Sequence, residues 1–495
     1  MLVEGENCWR IAEADRMAVI VDADRYFAHA RSAFLKAERR ILLVGWDFDA
    51  RIVLSREGAA AKPDTAPRDR HGGGDEGPKQ VGDLLYWLVE RNPDLHIHLL
   101  RWDLGAVKSL FRGRTAFTLV KWMRHPRIHV RLDGHHPTGA SHHQKIVSID
   151  DRIAFCGGID MTGDRWDTSE HRDHEPGRKR PSGRSYKPWH DATTCVSGPA
   201  ARALGDLARR RWALAGGEML APVLLRGGDG WPDGLIPDFQ DARVGIARSE
   251  PEMPDSAPVR EVETLFLQQI AAAKRWIYLE SQYFASRRVA EAVARRLEEP
   301  DGPEIVVVNP VTAQGWLEPL AMDTARARLV AAIQRRDRHG RFRLYHPFTQ
   351  GGTPIYVHAK VTIVDDCSLR VGSANLNNRS QRLDTECDVV IDAGLQEAGV
   401  EPRIEAIRNG LIAEHLNCAA SVVSEQLERT GSLIATIEGL RGPGRSLRPY
   451  EVPDLPAVEK WLADNEVLDP ENPEELFEPF NGKGLWRGRL GRRRR

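Results

Sequence analysis

The sequence predicts an α/β protein built from two pseudo-symmetric lobes, each a mixed, mostly parallel sheet flanked by helices, with the active site between them. Three observations carry that prediction. The pattern His-x-Lys-x₄-Asp occurs twice, at His143, Lys145 and Asp150 and again at His358, Lys360 and Asp365. Each copy sits in an alternating apolar run and is followed by a glycine-bearing turn. Helix-like and strand-like stretches alternate in the same order in both halves of the chain, as in layered α/β sheets.

Residues 24–36 carry Tyr26, Phe27, Ala30 and Phe34 at helical spacing, and 41–46 follow as a strand. Residues 262–274 repeat the helix with Leu265, Phe266, Leu267 and Ile270, and 276–280 repeat the strand. Further strands are expected at 95–102 and 304–308, each ahead of its His-x-Lys copy. A helix over 403–416 closes the second repeat. Glycine, proline and charge mark 56–81 as a mobile loop and 226–256 as a linker. The polar stretch 167–188 reads equally as a border of the site and as a solvated insertion. The expected units are therefore 1–225 and 257–421, with a helical extension at 422–495 that ends in a basic tail, Arg492 to Arg495.

Composition narrows the class. The formal net charge of −1 leaves no global field to drive the chain onto nucleic acid. With 41% hydrophobic and 28% charged residues the chain reads as a soluble globular protein. No stretch approaches the roughly 18 apolar residues of a spanning helix, and residues 1–6 lack the basic start and apolar run of a signal peptide. The six cysteines show no zinc-type spacing, which suits free thiols in a reducing compartment. A cytoplasmic protein is expected, one that would meet lipid only from the membrane surface. The basic tail reads either as a solvated end or as a contact for anionic lipid, where each basic residue adds roughly 1 kcal/mol.

The repeated motif carries the chemistry. Side chains alternate along a strand, so His358 and Lys360 are expected on one face, as are His143 and Lys145. Asp150 and Asp365 stand where those strands end, and an aspartate there more naturally binds turn backbone than reacts. After the second copy, Ser373 and Asn375 offer polar groups to an anion. The matching stretch of the first copy holds Gly158 and Asp160. Asp191 and Glu386 follow in later apolar runs and suit the far ring nitrogens of the two histidines. Two histidines and two lysines fit phosphodiester cleavage. The lysines neutralise the phosphate, one neutral histidine attacks phosphorus, and the other passes protons. The lysines supply the positive charge, so no metal ligands are assigned and no cofactor is expected.

These residues resemble the phospholipase D superfamily, whose signature is a duplicated His-x-Lys-x₄-Asp with a Gly-Ser-x-Asn follow-up. The stretches 157–160, 165–168, 188–191 and 198–200 resemble the first catalytic half of eukaryotic-type members, and 278–284 with 355–358 resemble the second. Ser281 stands where that tract commonly has Asn. The resemblance covers roughly residues 5–420 and implies His143 as nucleophile and His358 as acid/base, although the residues themselves allow the reverse. It also implies His143, Lys145, Asp150, His358, Lys360 and Asp365 as the catalytic set. The implied substrate is a glycerophospholipid met at a membrane surface, cleaved to phosphatidic acid and free headgroup or transferred to another alcohol. A cardiolipin-synthase-like transferase, a nuclease and an inactive lipid-binding protein stay open as alternatives. No nucleic-acid partner is expected. Both half-sites lie in one chain, so a monomer is expected.

Overall fold

Two twelve-residue strands, β1 (Arg10–Val21) and β9 (Phe239–Glu250), run antiparallel to each other at the middle of one sixteen-stranded sheet. The structure is a computed structural model and describes residues 1–56, 77–103, 121–225, 227–313, 318–397 and 399–453. After β1 come α1 (Ala23–Leu35), β2 (Arg40–Gly45), α2 (Val81–Arg91), β3 (His96–Trp102), β4 (Ile128–Asp133), β5 (Ile146–Ile149), β6 (Ile153–Gly157), β7 (Trp189–His190), β8 (Ala192–Ser197) and α3 (Pro199–Leu214). After β9 come β10 (Val259–Arg260), α4 (Glu261–Ala272), β11 (Trp276–Glu280), α5 (Arg287–Glu298), β12 (Glu304–Val308), α6 (Glu318–Arg336), β13 (Phe342–Phe348), β14 (Tyr356–Val357), β15 (Val361–Val364), β16 (Ser368–Gly372), β17 (Glu386–Asp392) and α7 (Glu401–Leu416). The chain continues through α8 (Ala420–Thr430), α9 (Leu433–Leu440) and β18 (Ser446–Pro449).

Read outward from the centre, one half runs β1-β8-β6-β5-β2-β3-β4 and the other β9-β17-β16-β15-β11-β12-β13. Position by position the two runs match, so the halves repeat one another within a single sheet. Alternate residues of β2 face opposite layers. Ile41 and Leu43 pack with Tyr26, Phe27 and Phe34 of α1, while Leu42 and Val44 pack with Leu204 and Leu207 of α3. The spacing of the buried residues on α1 is the apolar stripe a surface helix needs. The core beneath β1 and β9 is shared, because α3 and α7 contribute to one apolar cluster.

Several expectations change. The sheet is mixed, but parallel pairing is confined in each half to its outer three strands, β2-β3-β4 and β11-β12-β13. The remaining pairings are antiparallel, since β5-β6 and β15-β16 are tight hairpins that cannot support a parallel crossover. The segment expected as a linker, 226–256, contains β9, whose apolar side chains are mostly small and are interrupted by Gly245. The single run expected over 355–364 is two strands. β14 pairs with β7 of the other half, β15 joins the main sheet, and His358 to Lys360 lie in the break between them. The extension after α7 adds a strand as well as helices, because β18 pairs with β13. Residues 57–76 of the expected loop and the basic tail lie outside the described residues.

The aspartate that ends each motif builds its hairpin. Asp150 and Asp365 have φ of 54° and 52°, a left-handed conformation that aspartate tolerates better than most residues. The Asp150 carboxylate accepts from the backbone N–H groups of Glu38, Arg39 and Arg40 at 2.6–2.7 Å. Asp365 accepts from Lys274, Arg275 and Trp276 at 2.6–2.9 Å. Each carboxylate therefore anchors the entry to β2 or β11. Both residues belong to the fold and not to the reacting groups, because their oxygens are filled by backbone donors. Asp150→Ala strands three N–H groups and should cost about 1–3 kcal/mol of stability. The urea midpoint would fall, while turnover per folded molecule would stay near wild type.

Candidate active site

Each motif histidine meets an acid from the other half. His143 Nδ1 lies 2.9 and 3.0 Å from the Glu386 carboxylate oxygens. His358 Nδ1 lies 2.6 Å from Asp191 Oδ2. The local backbone explains the crossing. β7 ends immediately before Asp191 and pairs in parallel with β14, which ends immediately before His358. A bridge between His142 and Thr385 does the same for His143 and Glu386. His143 N–H also donates to the Thr385 carbonyl, and His358 N–H to the His190 carbonyl.

The lysines close the site from behind. Lys145 Nζ donates to its own motif's His143 carbonyl at 2.8 Å, and Lys360 Nζ to the His358 carbonyl. Lys145 is also 3.3 Å from Asp160 Oδ2. Asp160 Oδ1 accepts the Trp46 N–H at 3.0 Å, so this residue aims a lysine and does not donate to phosphate. All four basic side chains are buried or nearly so, and the most open is His143 at 15% side-chain exposure.

Burial and nearby positive charge lower the proton affinity of His143, His358 and Lys360. Burial holds His143 well below the usual histidine range, and the charges of Lys145 and Lys360 add to the effect. His358 is held down by burial, then by Lys360 and Arg165. Burial brings Lys360 down to about 7, against the pull of Asp191. Burial pushes Glu386 up to about 8, with Lys145 and the Ser373 hydroxyl opposing. Asp191 is raised by burial and lowered by Lys360. The site thus keeps its imidazoles neutral and holds ammonium charge at a cost that an incoming anion would offset.

Known proteins resemble this chain in sequence and in fold. Residues 266–401 match the family described as "Cardiolipin synthase, PLD-like domain". Phospholipase D A of Dictyostelium discoideum is 25% identical over 443 residues, covering 76% of this chain and 32% of that protein. Phospholipase D alpha 1 of Carica papaya is 24% identical over 444 residues, covering 69% and 52%. The chain therefore spans a third to a half of these two relatives. The crystal structure of phosphatidylserine synthase from Haemophilus influenzae Rd KW20 shares the fold, with a TM-score of 0.53 at 12% identity over 86% of this chain and 96% of that one. These matches support membership of the phospholipase D superfamily.

The two copies of the superfamily motif are not equivalent. Ser373 follows the second copy, and its hydroxyl donates to Glu386 Oε2 at 2.5 Å. Gly158 takes the corresponding place after the first copy. A Cβ there would lie 2.2 Å from Asp191 Oδ1, so only glycine lets that shorter acid reach His358. Asn375 is 3% exposed, and its Oδ1 has no hydrogen-bond partner among the described residues. Ser281 accepts the Leu376 N–H at 3.2 Å and so ties the end of β11 to the loop bearing Asn375.

Sequence reasoning missed two features. Arg165 lies over the Trp189 ring at 4.3 Å, and its charge reaches His358 and Lys360. The Trp189 ring in turn stacks on Tyr356 at 4.7 Å and stands 5.1 Å from His358. The other is a buried histidine–carboxylate cluster behind Asp191. The hints were the density of His, Arg and acids after the first motif and the family-like stretches 165–168 and 188–191, which hold Arg165, Trp189 and His190. Gly158→Ala should displace Asp191 and cut turnover by at least about tenfold, on the scale of a catalytic group shifted by an ångström. Thermal unfolding should move little by comparison. Turnover equal to wild type in the alanine variant would show that Asp191 needs no such closeness.

Proposed function

We propose that the chain is a phosphodiesterase that takes the phosphatidyl group of glycerophospholipids and passes it to water or another alcohol through a covalent phosphohistidine. The observation that carries this reading is the pair of buried imidazoles, each held at Nδ1 by an acid of the other half. That hold leaves Nε2 of each ring for chemistry. The lipid substrate is supported by the curated relatives, which are named phospholipases D.

His143 is the more open ring and serves as nucleophile. Its Nε2 attacks phosphorus as the bond to the headgroup oxygen breaks. His358, with its proton on Nε2, gives that proton to the departing alkoxide. Water or an alcohol then returns a proton to His358, and its oxygen attacks phosphorus. The N–P bond breaks, freeing phosphatidic acid or the transfer product and restoring His143. Lys145 and Lys360 offset the charge on the non-bridging oxygens, with the Asn375 amide as a further donor. Bound phosphate raises the affinity of His358 and Lys360 for protons, so the acid is charged when substrate is present.

A second reading is favoured by one observation: the family matched over 266–401 is described by cardiolipin synthase. There the acceptor alcohol is itself a lipid. One incubation separates the readings: phosphatidylcholine, phosphatidylethanolamine and phosphatidylglycerol vesicles with ethanol, products read by mass spectrometry. Phosphatidic acid with phosphatidylethanol is expected, and His143→Ala and His358→Ala should each lose at least about 10³-fold. Cardiolipin as the main product moves the assignment to the synthase. No lipid product from folded protein, or full activity in either histidine variant, would sink the proposal.

A pH profile gives an independent check. Lys360 is charged below about 7 and neutral above it. The value of kcat/KM should therefore fall as pH rises through about 7, because the free enzyme loses a phosphate-binding charge. The alkaline limb of kcat should lie at higher pH, since bound phosphate holds the proton on Lys360. Coincident limbs would mean that Lys360 carries no such role.

A further inference from the structure

Behind the Asp191–His358 pair, four side chains from four segments converge. Asp22 comes from the β1–α1 junction, His171 from the polar insertion, His190 from β7 and Glu414 from α7. One donor atom of each lies within 4.8 Å of all the others. Glu414 Oε1 is 2.7 Å from His190 Nδ1 and 3.1 Å from His171 Nε2. Asp22 Oδ1 is 3.4 Å from His190 Nδ1, and Asp22 Oδ2 is 3.7 Å from His171 Nε2. A tetrahedral ion with bonds of about 2.0–2.2 Å holds its ligand atoms roughly 3.3–3.6 Å apart. The four separations in the cluster, 2.7–3.7 Å, bracket those of such a shell.

We propose that Asp22, His171, His190 and Glu414 form a structural site for a zinc-type divalent cation that ties the two halves together behind the catalytic pair. Three further features favour an ion. The outer nitrogen of each histidine already meets a carboxylate, as metal-bound histidines require. His171 Nδ1 is 3.1 Å from Asp167, which Arg178 pairs, and His190 Nε2 is 2.8 Å from Glu280, which also meets His415 and Tyr278. The inner atoms are less well served. Asp22 Oδ2 is buried with no hydrogen-bond partner among the described residues, and His190 Nδ1 is met only by the two inner carboxylates themselves. Charge also balances either way. The two inner carboxylates need two imidazolium protons or one divalent ion, so metal uptake would release up to two protons and leave the net charge unchanged.

The other crossing of the halves serves as an internal control. There His142 Nδ1 bonds the Thr385 hydroxyl at 2.5 Å, and the nearby acid Asp133 is taken by Arg211 at 2.7 Å. With one imidazole, one acid and an arginine, that crossing offers no ligand shell. Only the crossing that carries His190 next to Asp191 does.

The test uses the full chain, unfolded in guanidinium with a chelator and refolded with zinc or cobalt. Bound metal is counted by elemental mass spectrometry after desalting. About one ion per chain is expected, with the visible bands of tetrahedral cobalt in the cobalt form. His143→Ala should keep the ion. Asp22→Asn combined with His171→Gln should lose at least nine-tenths of it, and Asp167→Asn should weaken affinity about 10–100-fold in a chelator competition. If the double variant fails to fold, the wild-type stoichiometry and the Asp167→Asn competition decide. Natively refolded wild type without metal would overturn the site, as would a folded double variant that retains it.

Discussion

Everything in this active site depends on carboxylates that cross from one half to the other. Neither histidine is oriented by its own repeat, since Glu386 holds His143 and Asp191 holds His358. Such contacts of 2.6–3.0 Å tolerate little drift between the halves. The halves are therefore not two bodies joined by a tether. β1 and β9 fuse them along seven registered residue pairs, and β7 with β14 pins them again beside the reacting groups. A long antiparallel seam at the sheet centre has no exposed edge along which to slip.

That rigidity supports an electrostatic arrangement that would otherwise be unfavourable. Two lysines and two imidazoles share a buried volume, and burial together with the lysine charges depresses the proton affinity of His143, His358 and Lys360. Their attachments to backbone carbonyls and to Asp160 and Asp191 keep them from swinging to solvent. On the proposed reading a phosphate diester brings the negative charge that offsets these cations, so the electrostatic cost of holding them together favours substrate binding.

Much of the fold was legible because periodicity reports burial. The helix at 24–36 and the strand at 304–308 appear within one residue of their expected bounds. The carboxylate partners were legible as acids in apolar runs, a placement that nearly always means a specific bond. What failed has physical causes. β9 is built largely from small side chains with a central glycine, so it carried no strong apolar alternation although it lies at the heart of the sheet. The motif tripeptides looked like strand interiors, yet they sit where pairing passes from the opposite half to their own sheet. No local pattern encodes such a handover. The buried cluster of Asp22, His171, His190 and Glu414 draws on positions spread over nearly four hundred residues, and only tertiary structure brings them together.

The departures from two-fold symmetry bear on the division of labour. His143 faces a longer acid braced by the Ser373 hydroxyl and remains the more open ring. His358 faces a shorter acid pressed against Gly158, with the Arg165 guanidinium nearby and the Trp189 ring at 5.1 Å. An open ring suits attack on phosphorus, which must approach in line. An enclosed ring, set among a fixed acid and fixed cations, suits a proton donor whose charge state follows the arrival of an anion. The two motifs supply like histidines, and on the proposed reading the residues around them make the roles unequal.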